Sequence, residues 1–370
     1  MLFLIKKKEN LIGVGSSPFS SNKTLATLFF YFPQIINKAG LPRMNIKSLS
    51  KVDLGFFPTP IVTLSRLSTV LGGPEILMKR DDLTGLALGG NKTRKLAFIL
   101  HDAIAKGCDT VITAGASQSN HCRQTAAAAA QLQLECHLVL GGQAPDTPNG
   151  NLLLDTLFEP KIHWAGQHRK GEDIPKITKA LAAQGKKPYV IPYGGSSELG
   201  AYSFVNALEE LETQIETNTL SHLIFASSSG GTHAGLMLGK ALLNKQYELI
   251  GINIDKGETD AVPFDQFIIN LANKTSQFIN ANITFSHDDL ILNSDYVGEG
   301  YGVVGEPEKE AIALMAKHEG ILLDPVYTGR AMAGLIDMIR SGKLTQQDKV
   351  LFWHTGGAPS LFAYADKFKH

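Results

Sequence analysis

The chain has 370 residues, 44% of them hydrophobic, and its 35 lysines and arginines balance 35 aspartates and glutamates. That length holds two cores of ordinary domain size, and a formal charge of zero argues against nucleic acid as a partner. The three cysteines, Cys108, Cys122 and Cys136, lack C-x-x-C spacing, so they read as reduced thiols and indicate neither a disulfide framework nor a zinc site.

The first 43 residues stand apart. They carry Lys6, Lys7 and Lys8, almost no acid, and an apolar stretch over 25–36 interrupted by Pro33, too short to span a bilayer. The charges do not directly precede the apolar stretch as in a secretory signal, and lysine replaces the arginine usual in a transit peptide. The expectation is a poorly ordered extension or a start assigned too early, with Met44 the natural beginning, on a cytoplasmic protein without membrane contact; an organellar sorting segment is the alternative.

From Met44 onward, short apolar runs alternate with helical patterns, the signature of a parallel sheet covered by helices. Residues 109–114 (DTVITA) predict a buried strand, the alanine-rich 120–132 a helix packed closely against it, and 137–140 the next strand. Strand and helix follow at 188–191 and 200–213, then at 223–226 and 232–243, then a strand at 249–254. Helices at 308–318 and 329–339 precede a final strand at 349–354. The fold class is α/β, with two doubly wound domains and a ligand cleft beyond the carboxyl ends of their strands.

Chemistry gathers at the glycine turns. Lys92, in Gly89-Gly90-Asn91-Lys92-Thr93-Arg94-Lys95, opens a helix after two glycines that leave space, with Arg94 and Lys95 adding positive charge. Such a lysine forms an imine with an aldehyde cofactor, although a solvated helix start has the same pattern. Ser227-Ser228-Ser229-Gly230-Gly231-Thr232 follows a strand and opens a helix, an anion cradle suited to a single phosphate or simply a tight turn. Gly115-Ala116-Ser117-Gln118-Ser119-Asn120-His121 is more polar than a helix cap requires, and Thr355-Gly356-Gly357 ends the last strand. Lone histidines such as His101 and His163 form no metal-ligand cluster, so no metal is expected.

Taken together, Lys79-Arg80-Asp81-Asp82, the Lys92 turn, Gln118-Ser119-Asn120-His121, Ser229-Gly230-Gly231-Thr232, Asp324-Pro325-Val326-Tyr327 and His354-Thr355-Gly356-Gly357 resemble the pyridoxal-phosphate enzymes of the tryptophan synthase β fold (fold type II). The branch is the one containing D-cysteine desulfhydrase and 1-aminocyclopropane-1-carboxylate (ACC) deaminase, and the resemblance runs from about residue 50 to the C-terminus. It implies mainly parallel sheets, with a larger cofactor-binding domain of 44–94 and 203–370, a smaller one of 95–202, and a homodimer. Lys92 matches the lysine that holds pyridoxal 5'-phosphate, and Asn120 the residue at the ring hydroxyl. Ser229, Gly230, Gly231 and Thr232 match the phosphate cup, with Lys95 adding charge. Gln118, Ser119 and Asn120 match the substrate-carboxylate site, and Tyr301 and Tyr327 the two tyrosines facing the substrate.

Two positions bear on the reaction. Deaminases of the branch look like Tyr-Glu after Asp-Pro-Val and His-Leu before Gly-Gly, whereas this chain has Tyr327-Thr328 and His354-Thr355, similar to the desulfhydrase pattern. A carboxylate partner keeps the pyridine nitrogen protonated and the ring a deep electron sink, while a hydroxyl does so weakly. The resemblance therefore implies a carbon-sulfur lyase of D-amino acid catabolism. It would convert D-cysteine to pyruvate, hydrogen sulfide and ammonia, with Lys92 removing the α-proton. ACC deamination to 2-oxobutanoate and a non-catalytic carrier of the cofactor are the alternatives. Val303-Val304-Gly305 after Tyr301-Gly302, where relatives usually have proline, and Ser117, where an aliphatic residue is common, depart from the pattern beside the substrate.

Overall fold

The computed structural model describes residues 47–168, 170–255 and 262–368, so the expectation for the first 43 residues lies outside the described part. In chain order the strands are β1 (Ile61–Thr63), β2 (Glu75–Arg80), β3 (Thr110–Ala116), β4 (Glu135–Gly141), β5 (Lys161–Trp164), β6 (Pro188–Val190), β7 (His222–Ser227), β8 (Glu248–Asn253), β9 (Ile291–Asn293) and β10 (Lys349–His354). The helices are α1 (Ser65–Leu71), α2 (Lys92–Ala105), α3 (Asn120–Gln131), α4 (Gly150–Leu157), α5 (Ile174–Ala183), α6 (Glu198–Gln214), α7 (Gly231–Leu242), α8 (Phe264–Phe278), α9 (Glu306–Glu319), α10 (Thr328–Arg340) and α11 (Ser360–Ala363).

These strands form two sheets. One has six strands in the order β1-β2-β10-β7-β8-β9, and the other four in the order β5-β4-β3-β6. Only the β1–β2 pairing is antiparallel. The fold is thus α/β with mainly parallel sheets, the tryptophan synthase β-like arrangement.

Side-chain alternation explains why the larger sheet is covered on both faces. In β7, Leu223 and Phe225 enter one core while Ile224 and Ala226 enter another; in β10, Leu351 and Trp353 separate from Val350 and Phe352 in the same way. α6, α7 and α8 fill the first core, and α1, α9 and α10 the second. The smaller sheet follows suit, with Val111 and Leu138 packed under α2 and α3, and Ile112 and Val139 facing α5. α2 belongs to both bodies of packing: Leu96, Ile99 and Leu100 join the smaller sheet's core, whereas Phe98 joins the larger sheet's.

Local chemistry sets the helix starts nearest the strand ends. Ser119 caps α3, its hydroxyl accepting from the Cys122 N–H at 3.2 Å, and the alanines from 126 on let the helix approach closely. The Asp324 carboxylate takes the N–H groups of Val326, Tyr327 and Thr328 at 2.7–3.0 Å, satisfying the donors that open α10. No helix of the described residues is long and apolar enough to cross a membrane, and none of their His, Cys, Asp and Glu groups could hold a metal ion.

Candidate active site

Five strand ends meet at one cleft. β2 leads through Asp81 to the Lys92 turn, β3 to Ser119 and Asn120, β6 to Tyr193 and Gly194, β7 to Ser228–Gly230, and β10 to Thr355. The cleft is lined by residues from all five strand ends, among them Lys92, Asn120, Tyr193, Ser229 and Thr355.

The Lys92 turn cannot be relaxed. Gly89 and Gly90 have φ of +71° and +129°, and a Cβ on Gly89 would strike the Asp82 carbonyl. The Gly90 N–H is shared by the Asp81 carbonyl at 3.0 Å and the Thr84 hydroxyl at 2.8 Å, and the Asn91 N–H reaches Thr355 O at 2.9 Å. Behind it Asp81, fully buried, accepts from Arg94 (2.8 Å), the Thr59 hydroxyl (3.0 Å) and the Trp353 indole (2.8 Å). Arg94 also grips Glu210, which in turn binds Lys79. A buried ionic cluster of this kind fixes position more than it adds stability, and losing one member leaves a charge stranded.

Lys92 titrates low, with burial pushing it down to about 8. The positive charge expected from Arg94 and Lys95 is not what lowers it: Arg94 is matched by Asp81 and Glu210, the hydrogen bond with Lys95 acts in the other direction, and desolvation is the cause. Lys95 is fully buried and pushed down further, by burial and then by Lys92, and its Nζ donates to Gly194 O at 3.1 Å.

The turn after β7 is built for an anion. Gly230, at φ +81°, precedes the N-terminus of the twelve-residue α7. A Cβ on Gly231 would stand 2.8 Å from Ser196 Oγ and 3.0 Å from Lys95 Nζ, and one on Gly194 would strike Ser229. Ser196 Oγ ties the cup together, donating to Ser229 Oγ at 2.9 Å and accepting from the Gly231 N–H at 3.1 Å; the Asn91 amide donates to Thr232 at 3.2 Å. Backbone donors, hydroxyls and a lysine that converge where even a Cβ would crowd them match a phosphate.

Of the residues expected at the site, Lys92, Ser119, Asn120, Ser229, Gly230, Thr232, Tyr327 and Thr355 line the cleft, with Lys95 and Gly231 behind the cup. Gln118 lies outside the lining, and its side-chain amide is spent on the backbone, donating to Asn149 O at 2.9 Å and accepting from the Asn151 N–H at 2.8 Å. Tyr301 reaches the cleft through Tyr327, their hydroxyls 2.6 Å apart. Burial, then Tyr301, keeps the Tyr327 phenol protonated far above its usual range. Thr328 is also outside the lining: its hydroxyl donates to Asp324 Oδ1 and accepts from the Asp324 N–H, both at 2.8 Å. Thr355, not Thr328, is the cleft hydroxyl of the pair.

Sequence reasoning missed Tyr193, Gly194, Ser196 and His233. The pair Gly194-Gly195, two residues beyond the predicted strand 188–191, was a usable signal for the first three. His121 and His233 line the cleft, buried and held neutral by burial, His233 pushed down to about 3. The Thr113 hydroxyl donates to Ile191 O at 2.9 Å, so it must accept from His121 Nε2, leaving His121 Nδ1 as a buried acceptor without a protein partner among the described residues.

A family model described as pyridoxal-phosphate dependent enzyme matches residues 52–356. A crystal structure described as an ACC deaminase homologue is similar at 38% identity and a TM-score of 0.79, covering 86% of this chain and 95% of that one. A fungal L-serine ammonia-lyase from Rhizomucor miehei (17% identity, TM-score 0.60, 85% and 98% covered) and a serine racemase from Dictyostelium discoideum (17%, 0.56, 81% and 92%) share the fold. The chain belongs to the fold-type II pyridoxal-phosphate-dependent enzymes, in the family of ACC deaminase and D-cysteine desulfhydrase. Pyridoxal 5'-phosphate is its cofactor, and the glycine-lined cup and the half-buried, low-pKa Lys92 fit it.

Proposed function

We propose that the chain is a D-cysteine desulfhydrase, converting D-cysteine and water to pyruvate, hydrogen sulfide and ammonia. The observation carrying this reading is that none of the described residues lining the cleft is acidic, and that Thr355 supplies a hydroxyl there. Bound pyridoxal phosphate supplies an electron sink for charge at the substrate α-carbon, and a hydroxyl-partnered ring is a shallow one. A shallow sink suffices when a thiolate leaves with the charge, and opening a strained carbon ring benefits from a deeper one.

In this reading Lys92, which burial makes easier to deprotonate than an ordinary lysine, holds the cofactor and then takes the α-proton. Ser119 and Asn120 orient the substrate carboxylate, Asn120 also faces the ring oxygen, and Ser229–Thr232 with Lys95 hold the phosphate. Tyr327, kept protonated and coupled to Tyr301, donates a hydrogen bond beside the β-carbon. The 44–94 and 203–370 segments carry Lys92 and Ser229–Thr232, the 95–202 segment carries Ser119, Asn120 and the cup's Lys95 and Ser196, and the enzyme is a homodimer, which sedimentation checks.

A second reading, ACC deamination, is favoured by the 38% identical structure described as an ACC deaminase homologue. Incubating the holoenzyme with D-cysteine, L-cysteine and ACC separates the two. Sulfide and pyruvate from D-cysteine alone support the proposal. Keto acid from ACC without sulfide from cysteine overturns it in favour of the second reading, and no product with cofactor retained leaves a non-catalytic carrier.

A further inference from the structure

Behind the cleft, side chains from two helices form a directional chain of hydrogen bonds. Arg123 of α3, fully buried, donates its Nε–H to Asn151 Oδ1 of α4 at 2.6 Å, and its remaining nitrogens donate to the carbonyls of Ala87 and Gly89. A guanidinium only donates, so the Asn151 amide has one allowed orientation, oxygen toward Arg123. Its nitrogen then donates to Gln118 O at 2.9 Å and to Asn120 Oδ1 at 2.8 Å. The backbone carbonyl of Gln118, which only accepts, requires the same orientation independently. With its oxygen occupied, Asn120 has its Nδ2 as the free end of the amide, beside Gly357, where a Cβ would stand 2.9 Å away.

We propose that Asn151, held by Arg123, is a positioning residue that decides which end of the Asn120 amide faces the cofactor. Asn151 is fully buried and outside the cleft lining, so it acts only through Asn120. The inference rests on the proposed role of Asn120 at the ring oxygen. An N–H donor there favours that oxygen as an anion, whereas an amide carbonyl in the same spot repels the anion and favours the hydroxyl. Arg123 joins this setting to the lysine turn, because the carbonyls it holds belong to the residues leading into Lys92.

Asn151→Asp retains an acceptor for Arg123 but replaces the donor to Asn120 with an acceptor, so the Asn120 amide turns over and presents its oxygen. Two readouts apply: the ratio of yellow to colourless bound cofactor at fixed pH, and the affinity of apoprotein for added pyridoxal phosphate. The expected result is a shift toward the colourless form with affinity weakened about tenfold, the scale of one exchanged hydrogen bond. Asn151→Ala, which leaves the amide free to turn, gives a smaller shift of the same sign and keeps the test alive should the aspartate variant fold poorly. Asn149→Ala loosens the same turn without reaching Asn120 and leaves the colour ratio unchanged. Equal shifts from Asn149→Ala and Asn151→Ala reduce Asn151 to a structural residue and overturn the proposal. So does an unchanged ratio in both Asn151 variants while Asn120→Ala alters it. An unchanged ratio in Asn120→Ala removes the reading of Asn120 itself.

Discussion

The turn that carries Lys92 and the turn that opens α7 look alike in sequence, each a glycine pair at a helix start, yet they are held by different means. The first is fixed from behind by side chains far apart in the chain: Asp81, Arg94, Glu210 and Trp353, with Gln124 Oε1 accepting from the Thr93 N–H at 2.9 Å. The second is fixed by the conformation of Gly230 and by the short hydroxyl bridge through Ser196. One arrangement holds an atom in place for covalent chemistry and tolerates little movement. The other holds a charge, which many donors share.

Four experiments break or sharpen that contrast. Lys92→Ala has the largest effect: turnover falls by roughly 10²–10⁴-fold or more and borohydride no longer fixes the cofactor, while the cup still retains pyridoxal phosphate without a covalent bond. Retention is read by equilibrium dialysis. Asp81→Ala strands Arg94 on one side and removes the indole's acceptor, and denaturant unfolding is expected to show a loss of about 3–5 kcal/mol. Gly231→Ala crowds Ser196 and Lys95, so cofactor affinity drops by about tenfold with little change in the unfolding midpoint. If Gly231→Ala instead destabilised the fold as much as Asp81→Ala, the two turns would not differ as described.

The smallest effect is on pH dependence. The neutral amine of Lys92 is the reactive form, so recombination of apoprotein with pyridoxal phosphate accelerates as pH rises and levels off above about 8, in stopped-flow absorbance. The sign for stability follows from the same shift. Between about 8 and the unfolded lysine value near 10.4, the unfolded chain holds a proton that the folded chain has released, so apoprotein stability rises with pH across that window.

Much of this was legible in the chain. β10 was read with its full bounds, and β3, β7 and β8 to within two residues, because each is a continuous apolar run buried on both faces. α4, α5 and α8 were not anticipated; α4 is only two turns long and follows the Pro-rich stretch 143–149. At the site, the glycine turns were visible because conformation there is dictated locally. Ser196, Arg123 and Asn151 were not, because their meaning comes from partners 28–36 positions away that only folding brings near. Gln118 and Thr328 were recognisable as part of a motif, but the motif could not tell that their polar atoms are consumed by Asn149, Asn151 and Asp324.

The acidity of Lys92 is created by dryness, with its basic neighbour Arg94 already cancelled by two carboxylates. Dissolved electrolyte screens pairs of exposed charges and has little hold on a desolvation cost. The readiness of the nucleophile to react is thereby set more by the packing around it than by ionic strength.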